Sequence, residues 1–391
     1  MRRAVDERRM TGLAAHTPTP SFTAPPPPVY GWVPHYYWDP QWGWVPHYVW
    51  HAQDGWVHGF IWAPLPPGWG QPTLAPAQQR YGKAPHPEPT TYLQLLRTPT
   101  YGWWKSLLGL LLAGTAWLVG STVLVVVALL VGDGGSEAFL NDLAFDPLGS
   151  PTTLLIVNLN LALLIPSVWV ALIAVHQERL GWVSSVVRQL RWRLLLTFGL
   201  VATGLLAIGL LLGFLLVDPV AGSGEESYDT GFIVAMLAVV LLTTPLQAAG
   251  EEYLFRGYLS QVIAGWIPPR AAGAIVAGLL TGFLFALAHG SQDVPTFLSR
   301  LAFGLSASLL VWLTGGLEAA IAYHAMNNVL LFLLALVVGP SLEVEISSAL
   351  VLIVDLLVMA AFVAFVWWWS RRRAAQQATS VPAPAPLAHA Q

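Results

Sequence analysis

Residues 232–265 read FIVAMLAVVLLTTPLQAAGEEYLFRGYLSQVIAG. A membrane-spanning helix needs roughly 20 apolar residues, so this run is overlong for a single crossing. Its second half carries Glu251, Glu252 and Arg256. Ionisable residues within a span cost roughly 2.5–3.5 kcal/mol each on insertion, and they almost always face a bundle interior or a water cavity. The stretch therefore predicts a membrane helix that carries a site.

Working outward, seven further apolar runs cover residues 107–131, 152–175, 193–217, 272–289, 298–314, 317–339 and 347–369. The expected fold is all-α and integral to a membrane, with eight transmembrane helices and its core in the C-terminal half. The loops test that count, because cytoplasmic loops carry an excess of Lys and Arg. Lys105, then Arg179, Arg188, Arg191 and Arg193, then Arg270, then Arg371 to Arg373 fall on one side. The other side carries Asp133, Glu137, Asp142 and Asp146, then Asp218, Glu225, Glu226 and Asp229, then Asp293, then Glu343 and Glu345. Arg300 alone dissents. The alternation predicts a multi-pass protein of the cell membrane with both termini cytoplasmic.

Composition agrees. The 391 residues are 55% hydrophobic and 10% charged, with a mean hydropathy of +0.59, whereas soluble domains are charged at roughly a quarter of positions. A net charge of −3, from 18 Lys and Arg against 21 Asp and Glu, gives no basic face for nucleic acid. With no cysteine, the chain has no disulfide, thiolate metal site or thiol nucleophile.

Residues 1–96 form a separate segment, because Pro, Gly, Trp, Tyr and His interrupt every apolar run. The charges at its start are followed by no apolar stretch, which argues against a secretory signal. A repeat of period 12 runs Gly31-Trp32-Val33-Pro34-His35-Tyr36-Tyr37-Trp38, then Gly43-Trp44-Val45-Pro46-His47-Tyr48-Val49-Trp50, then a decayed copy from Gly55 to Trp62. The expectation is a largely disordered arm whose aromatics rest at lipid headgroups, with the Pro25–Pro28 run as a candidate adaptor ligand. His35, His47, His51 and His58 could in principle hold a metal. The remaining boundaries are expected at 97–231 for the first three spans, 232–340 for the catalytic core, 341–370 for the last span and 371–391 for a disordered tail.

The intramembrane polar residues cluster late: Glu251-Glu252-Tyr253-Leu254-Phe255-Arg256, then Phe285-Ala286-Leu287-Ala288-His289, then Glu318, then His324-Ala325-Met326-Asn327-Asn328, then Asp355. Glu252 and Arg256 are four apart on one helical face and can pair, which leaves Glu251 free about 100° around the helix. His324 and Asn328 share a face likewise. Gly273, Gly278 and Gly282 allow close helix approach ahead of His289. Together these residues could supply a base, a polarising partner and oxyanion donors for attack of water on a carbonyl. Phe285 reads as packing, and Glu318 and Asp355 as structural or gating partners. At about 1.5 Å per residue from the turn at Pro268–Pro269, Glu251 and His289 are level with each other, and they reach the depth of His324 only if the helices flanking Pro268 project beyond the bilayer into the cytoplasm, with 290–293 lining a wet cavity.

Glu251-Glu252-x-x-x-Arg256, Phe285-x-x-x-His289 and His324-x-x-x-Asn328 resemble the three ordered motifs of the CPBP family, the CAAX proteases and bacteriocin-processing enzymes also called the Abi family. The likeness covers roughly residues 232–340. It implies an intramembrane endopeptidase in which Glu251 and His289 activate water while His324 and Asn328 stabilise the oxyanion, with Glu252, Arg256 and Phe285 in support. The substrate implied is a membrane-associated or lipidated protein or peptide. No cofactor is favoured. Zinc is the alternative, with Glu251, His289 and His324 as ligands, although the sequence has no His-Glu-x-x-His helix. Two other readings are a non-catalytic membrane scaffold, disfavoured by the intact motifs, and a proton-coupled transporter, disfavoured because no pair of interrupted helices in inverted halves is evident.

Overall fold

A computed structural model describes residues 90–379, apart from 99, 132–135, 147, 179, 217–227, 268–269, 339–348 and 374–375, and the backbone of six short strands between Tyr30 and Pro64. The Pro25–Pro28 run, His35, His47, the acidic loop residues at 133, 218, 225, 226, 343 and 345, and the tail from 380 onward lie outside the described residues.

The strands are β1 (Tyr30–Pro34), β2 (Tyr36–Asp39), β3 (Gly43–Pro46), β4 (Tyr48–His51), β5 (Gly55–His58) and β6 (Phe60–Pro64). They pair antiparallel as β1 with β6, β2 with β3 and β4 with β5. Each pair sets Trp opposite Trp in register: Trp32 and Trp62, Trp38 and Trp44, Trp50 and Trp56. The pairs β2–β3 and β4–β5 join successive copies of the 12-residue repeat, and β1–β6 joins the first copy to the third, so pairing runs between copies rather than within one. Tyr, Trp and Val favour extended backbone, and Pro34, Pro46 and Pro64 stand at strand ends, where a missing N–H is tolerated. The sequence reading anticipated no strands here; the all-α reading holds for the membrane-spanning body.

That body contains α1 (Trp103–Val131), α2 (Ser136–Phe145), α3 (Pro151–His176), α4 (Trp192–Leu216), α5 (Thr230–Trp266), α6 (Arg270–Leu287), α7 (Val294–Thr314), α8 (Glu318–Val338) and α9 (Ala349–Arg373). All but the ten-residue α2 are long and apolar enough to cross a membrane, and their bounds follow the eight sequence runs within a few residues. The protein is thus a multi-pass membrane protein. The 37 residues of α5 extend about 55 Å at 1.5 Å each, against a hydrocarbon core of roughly 30 Å, so this helix overshoots the bilayer.

Small residues set the crossings that place the site. A Cβ on Gly304 of α7 would lie 2.7 Å from Gly282 Cα of α6, and one on Gly250 of α5 would overlap the carbonyl oxygen of Leu161 in α3. Beside that second crossing, Asn158 donates to the hydroxyls of Thr243 and Thr244 at 2.8 and 3.1 Å. Close backbone approach and interhelical hydrogen bonds hold helices together where lipid supplies no hydrophobic drive.

The segment boundaries require correction at both ends. Residues 90–96 belong to the body rather than to the arm: Tyr92, Leu95 and Leu96 are buried, the Tyr92 hydroxyl donates to the Val183 carbonyl, and Gln94 donates to Ala264 O at 3.1 Å. Burial raises the Tyr92 pKa well above the usual phenol value, so the hydroxyl stays a donor. At the other end, Arg371–Arg373 form the last turn of α9 rather than the start of a disordered tail. Beyond them Thr379 N donates to Thr90 O at 2.9 Å and Gln377 Nε2 to Leu313 O at 2.9 Å. A short Tyr-Leu-Gln-Leu-Leu stretch (Tyr92–Leu96) buries apolar surface without reaching spanning length, which a search for spans passes over.

Candidate active site

The site begins where α5 turns from α-helical to π-helical winding over Tyr253–Leu259. Glu252 and Arg256 are both fully buried, and Arg256 Nη1 donates to Glu252 Oε1 at 2.9 Å. The predicted pairing is therefore present. A buried ion pair survives only if its remaining hydrogen-bonding capacity is met, and here neighbouring elements contribute. His324, one and a half turns into α8, gives Nδ1 to the same Oε1 at 2.8 Å. Phe285 of α6 lies with its ring centroid 4.2 Å from the Arg256 guanidinium carbon, with Phe303 of α7 at 5.6 Å. Among the described residues, Arg256 Nε and Nη2 meet no hydrogen-bond acceptor, and the ring faces take that place through cation–π attraction.

Because a carboxylate only accepts, His324 Nδ1 carries the proton, and in the neutral ring Nε2 holds the lone pair. Nε2 stands 3.9 Å from Glu251 Oε2, too far for a direct hydrogen bond and suited to an intervening water. Glu251 is not free, as the sequence reading had it. Its Oε1 accepts from Gln247 Nε2 at 2.5 Å, and Gln247 Oε1 accepts from Asn328 Nδ2 at 3.1 Å. Gln247 was passed over in the sequence, although it sits one turn before Glu251 on the same helical face.

His289 stands two residues beyond α6 and is exposed. Its Nδ1 bonds the Phe285 carbonyl oxygen at 2.8 Å, which places the proton on Nδ1 and leaves Nε2 as the free nitrogen of the neutral ring. Its ring packs against Phe285 at 4.7 Å between centroids, and Phe285 packs against His324 at 5.7 Å. Glu251 and His324 are both within electrostatic reach of His289. The site is thus sealed at Glu252 and open at His289. Phe285, read from sequence as packing, is the hub that touches Arg256 and both imidazoles.

The loop after His289 is tied down rather than loose. Gln292 Nε2 donates to Ala286 O at 2.7 Å and its Oε1 accepts from Arg300 Nη1 at 2.5 Å, which gives the dissenting arginine a local role. Asp293 caps α7, accepting from Thr296 N at 2.8 Å. Hydrogen bonds from the Thr296 hydroxyl and amide hold its carboxyl below the usual carboxylate range.

Glu318 and Asp355 are structural partners, not members of the site. Arg191 grips Glu318 with Nε to Oε1 at 2.8 Å and Nη2 to Oε2 at 2.6 Å, and Asp355 accepts from Ser299. Among the described residues no three His, Cys, Asp or Glu side chains come together as a group that could hold a metal ion. Within the zinc set Glu251, His289 and His324, hydrogen bonds engage His324 Nδ1, Glu251 Oε1 and His289 Nδ1, and the donors left for a metal would be His324 Nε2, Glu251 Oε2 and His289 Nε2.

Fold and site together define a multi-pass membrane protein with a carboxylate, imidazole and carboxamide centre inside its helix bundle. Residues 230–330 match the family model described as Rce1-like, Type II CAAX prenyl endopeptidase Rce1-like. Residues 230–330 are thus similar to the Rce1-like family, in line with the CPBP resemblance. The chain is also 27% identical over 173 residues to the "Uncharacterized protein YyaK" of Bacillus subtilis (strain 168), a stretch that covers 43% of this chain and 56% of that protein. The chain thus spans about half the length of the curated relative it matches. No solved structure matches.

Proposed function

We propose that this protein is an intramembrane endopeptidase that hydrolyses a peptide bond in a membrane-associated or lipidated protein or peptide, with both of its termini on the cytoplasmic side of the cell membrane. The observation that carries this is the convergence of Glu251, Glu252, His324 and Asn328 from two helices on one connected chain of polar side chains. A water between Glu251 Oε2 and His324 Nε2 loses its proton to Glu251, assisted by His289, and its oxygen attacks the scissile carbonyl. The oxyanion meets the Asn328 N–H that Gln247 does not use and the His324 ring, to whose Nε2 the second hydrogen of that water shifts as charge develops. Glu252 balances the positive charge acquired there, and that proton leaves to solvent as the carboxylate product departs. Return of the proton held by Glu251 to the leaving amine breaks the bond. In this reading the reaction is glutamate-dependent and routes no step through a metal.

The test compares new protein termini in membranes expressing wild type or Glu251→Ala, each with and without a zinc chelator. Termini lost with Glu251→Ala and retained under the chelator support the reading and identify the substrate. Chelator-sensitive termini would replace the mechanism with a metal-dependent one, and an unchanged set from folded, inserted protein would leave a scaffold.

A further inference from the structure

Gln247 is buried in α5 at a position where packing alone would be served by Leu or Met. A buried carboxamide is tolerated when both of its ends are bonded, and here both ends are bonded to site residues. Their chemistry fixes its polarity. Glu251 as a carboxylate only accepts, so the Gln247 Nε2 faces it, which turns Oε1 toward Asn328 and obliges Asn328 to present Nδ2. Asn328 Oδ1 then accepts from Asn327 Nδ2 at 3.3 Å. The side chains of Asn327, Asn328, Gln247 and Glu251 thus form a chain with one direction of donation. It leaves a single Asn328 N–H uncommitted and leaves Glu251 Oε2, facing His324 Nε2, as the available carboxylate oxygen.

We infer that Gln247 is a positioning residue for the hydrolysis proposed above. It sets the base Glu251 and the oxyanion donor Asn328 in mutually consistent orientations across the gap between α5 and α8. An amide both donates and accepts without carrying charge, whereas an apolar residue at 247 would do neither and a carboxylate would only accept. The inference rests on the endopeptidase reading.

The test uses the full-length protein in membranes and a quenched fluorescent peptide built on the cleavage site defined by the Glu251-dependent termini. Gln247→Met keeps the volume and removes both hydrogen bonds. It is expected to lower kcat about 10- to 100-fold, in the range that misplacement of a reacting group causes, with KM within about twofold. In a cycle with Asn328→Ala, the double variant should fall short of the product of the single effects by about fivefold or more, because the two residues act through one chain. Should Gln247→Met fail to fold, Gln247→Glu, of the same shape but without the donor, gives the same readouts. Retained kcat, a rise in KM alone, or strictly multiplicative effects would overturn the inference. Loss of cleavage in Glu251→Ala with full activity in Gln247→Met would sink this inference and leave the endopeptidase reading standing. Absence of any Glu251-dependent cleavage would remove both.

Discussion

His324 gives Nδ1 to Glu252 Oε1 at 2.8 Å while its Nε2 stands 3.9 Å from Glu251 Oε2. The two adjacent glutamates therefore address opposite nitrogens of one ring, Glu252 fixing the tautomer and Glu251 facing the lone pair. Glu252→Gln can offer an N–H to the ring and move its proton to Nε2. The expected result is a kcat about 10²- to 10⁴-fold lower, the usual size of an acid–base contribution, with KM little changed. Arg256 also loses its anion, a loss of about 3–5 kcal/mol when a buried partner is removed. The rate is therefore read per folded molecule, and an unchanged rate would refute the orienting role.

Gly250 precedes Glu251 and meets the Leu161 carbonyl, so Gly250→Ala forces α3 and α5 apart where the base is anchored. Overpacking of this kind costs about 1–3 kcal/mol, and the displaced Glu251 should lower turnover at least as much as stability. A Cβ on Gly204 of α4 would meet nothing within 4 Å among the described residues, so Gly204→Ala is the matched control. Equal thermal stability and activity for the two variants would show that the crossing does not set the position of Glu251.

Arg191 and Glu318 tie the loop before α4 to the first residue of α8, the helix that carries His324 and Asn328. Arg191→Met leaves the fully buried Glu318 uncompensated and should cost about 3–5 kcal/mol. The double variant Arg191→Met, Glu318→Met should recover much of that loss, since it leaves no unpaired charge. Thermal unfolding in detergent of the two single variants and the double one decides the point; strictly additive losses would mean that the pair is not coupled.

The spans were legible in the sequence because a bilayer imposes length and apolarity on every helix, and the Glu252–Arg256 pair was legible from spacing alone. Gln247 was not, because an uncharged side chain in an apolar run carries no charge signal; only its place four residues before Glu251 hinted at a shared face. The hub role of Phe285 was hidden for a different reason: the rings and the guanidinium that meet it come largely from other helices. The Trp-on-Trp strand register of the arm was equally hidden, since the 12-residue repeat is visible in sequence while pairing between copies is a property of the fold.

Ser291 is exposed in the loop after His289, whereas Gln292 is held by Ala286 and Arg300. The chain has no native cysteine, so a single substitution gives an unambiguous label. Ser291→Cys should react readily with a membrane-impermeant maleimide from one aqueous side, and Gln292→Cys in the same membranes more slowly. Absence of labelling from both sides would remove the wet cavity expected beside His289.

The arm is proposed to recruit substrate or a partner at the cytoplasmic face, given three antiparallel strand pairs that each set Trp opposite Trp. A deletion ending at residue 96 cannot test this, because it removes Tyr92, Leu95 and Leu96 from the buried body. The compact body begins at Tyr81, so the informative variant lacks residues 1–80. Its turnover of the native membrane substrate should fall several-fold while a short peptide spanning the same bond is cleaved at the wild-type rate. If both rates fall together, the arm supports the fold rather than the substrate. If neither falls, recruitment lies elsewhere on the protein.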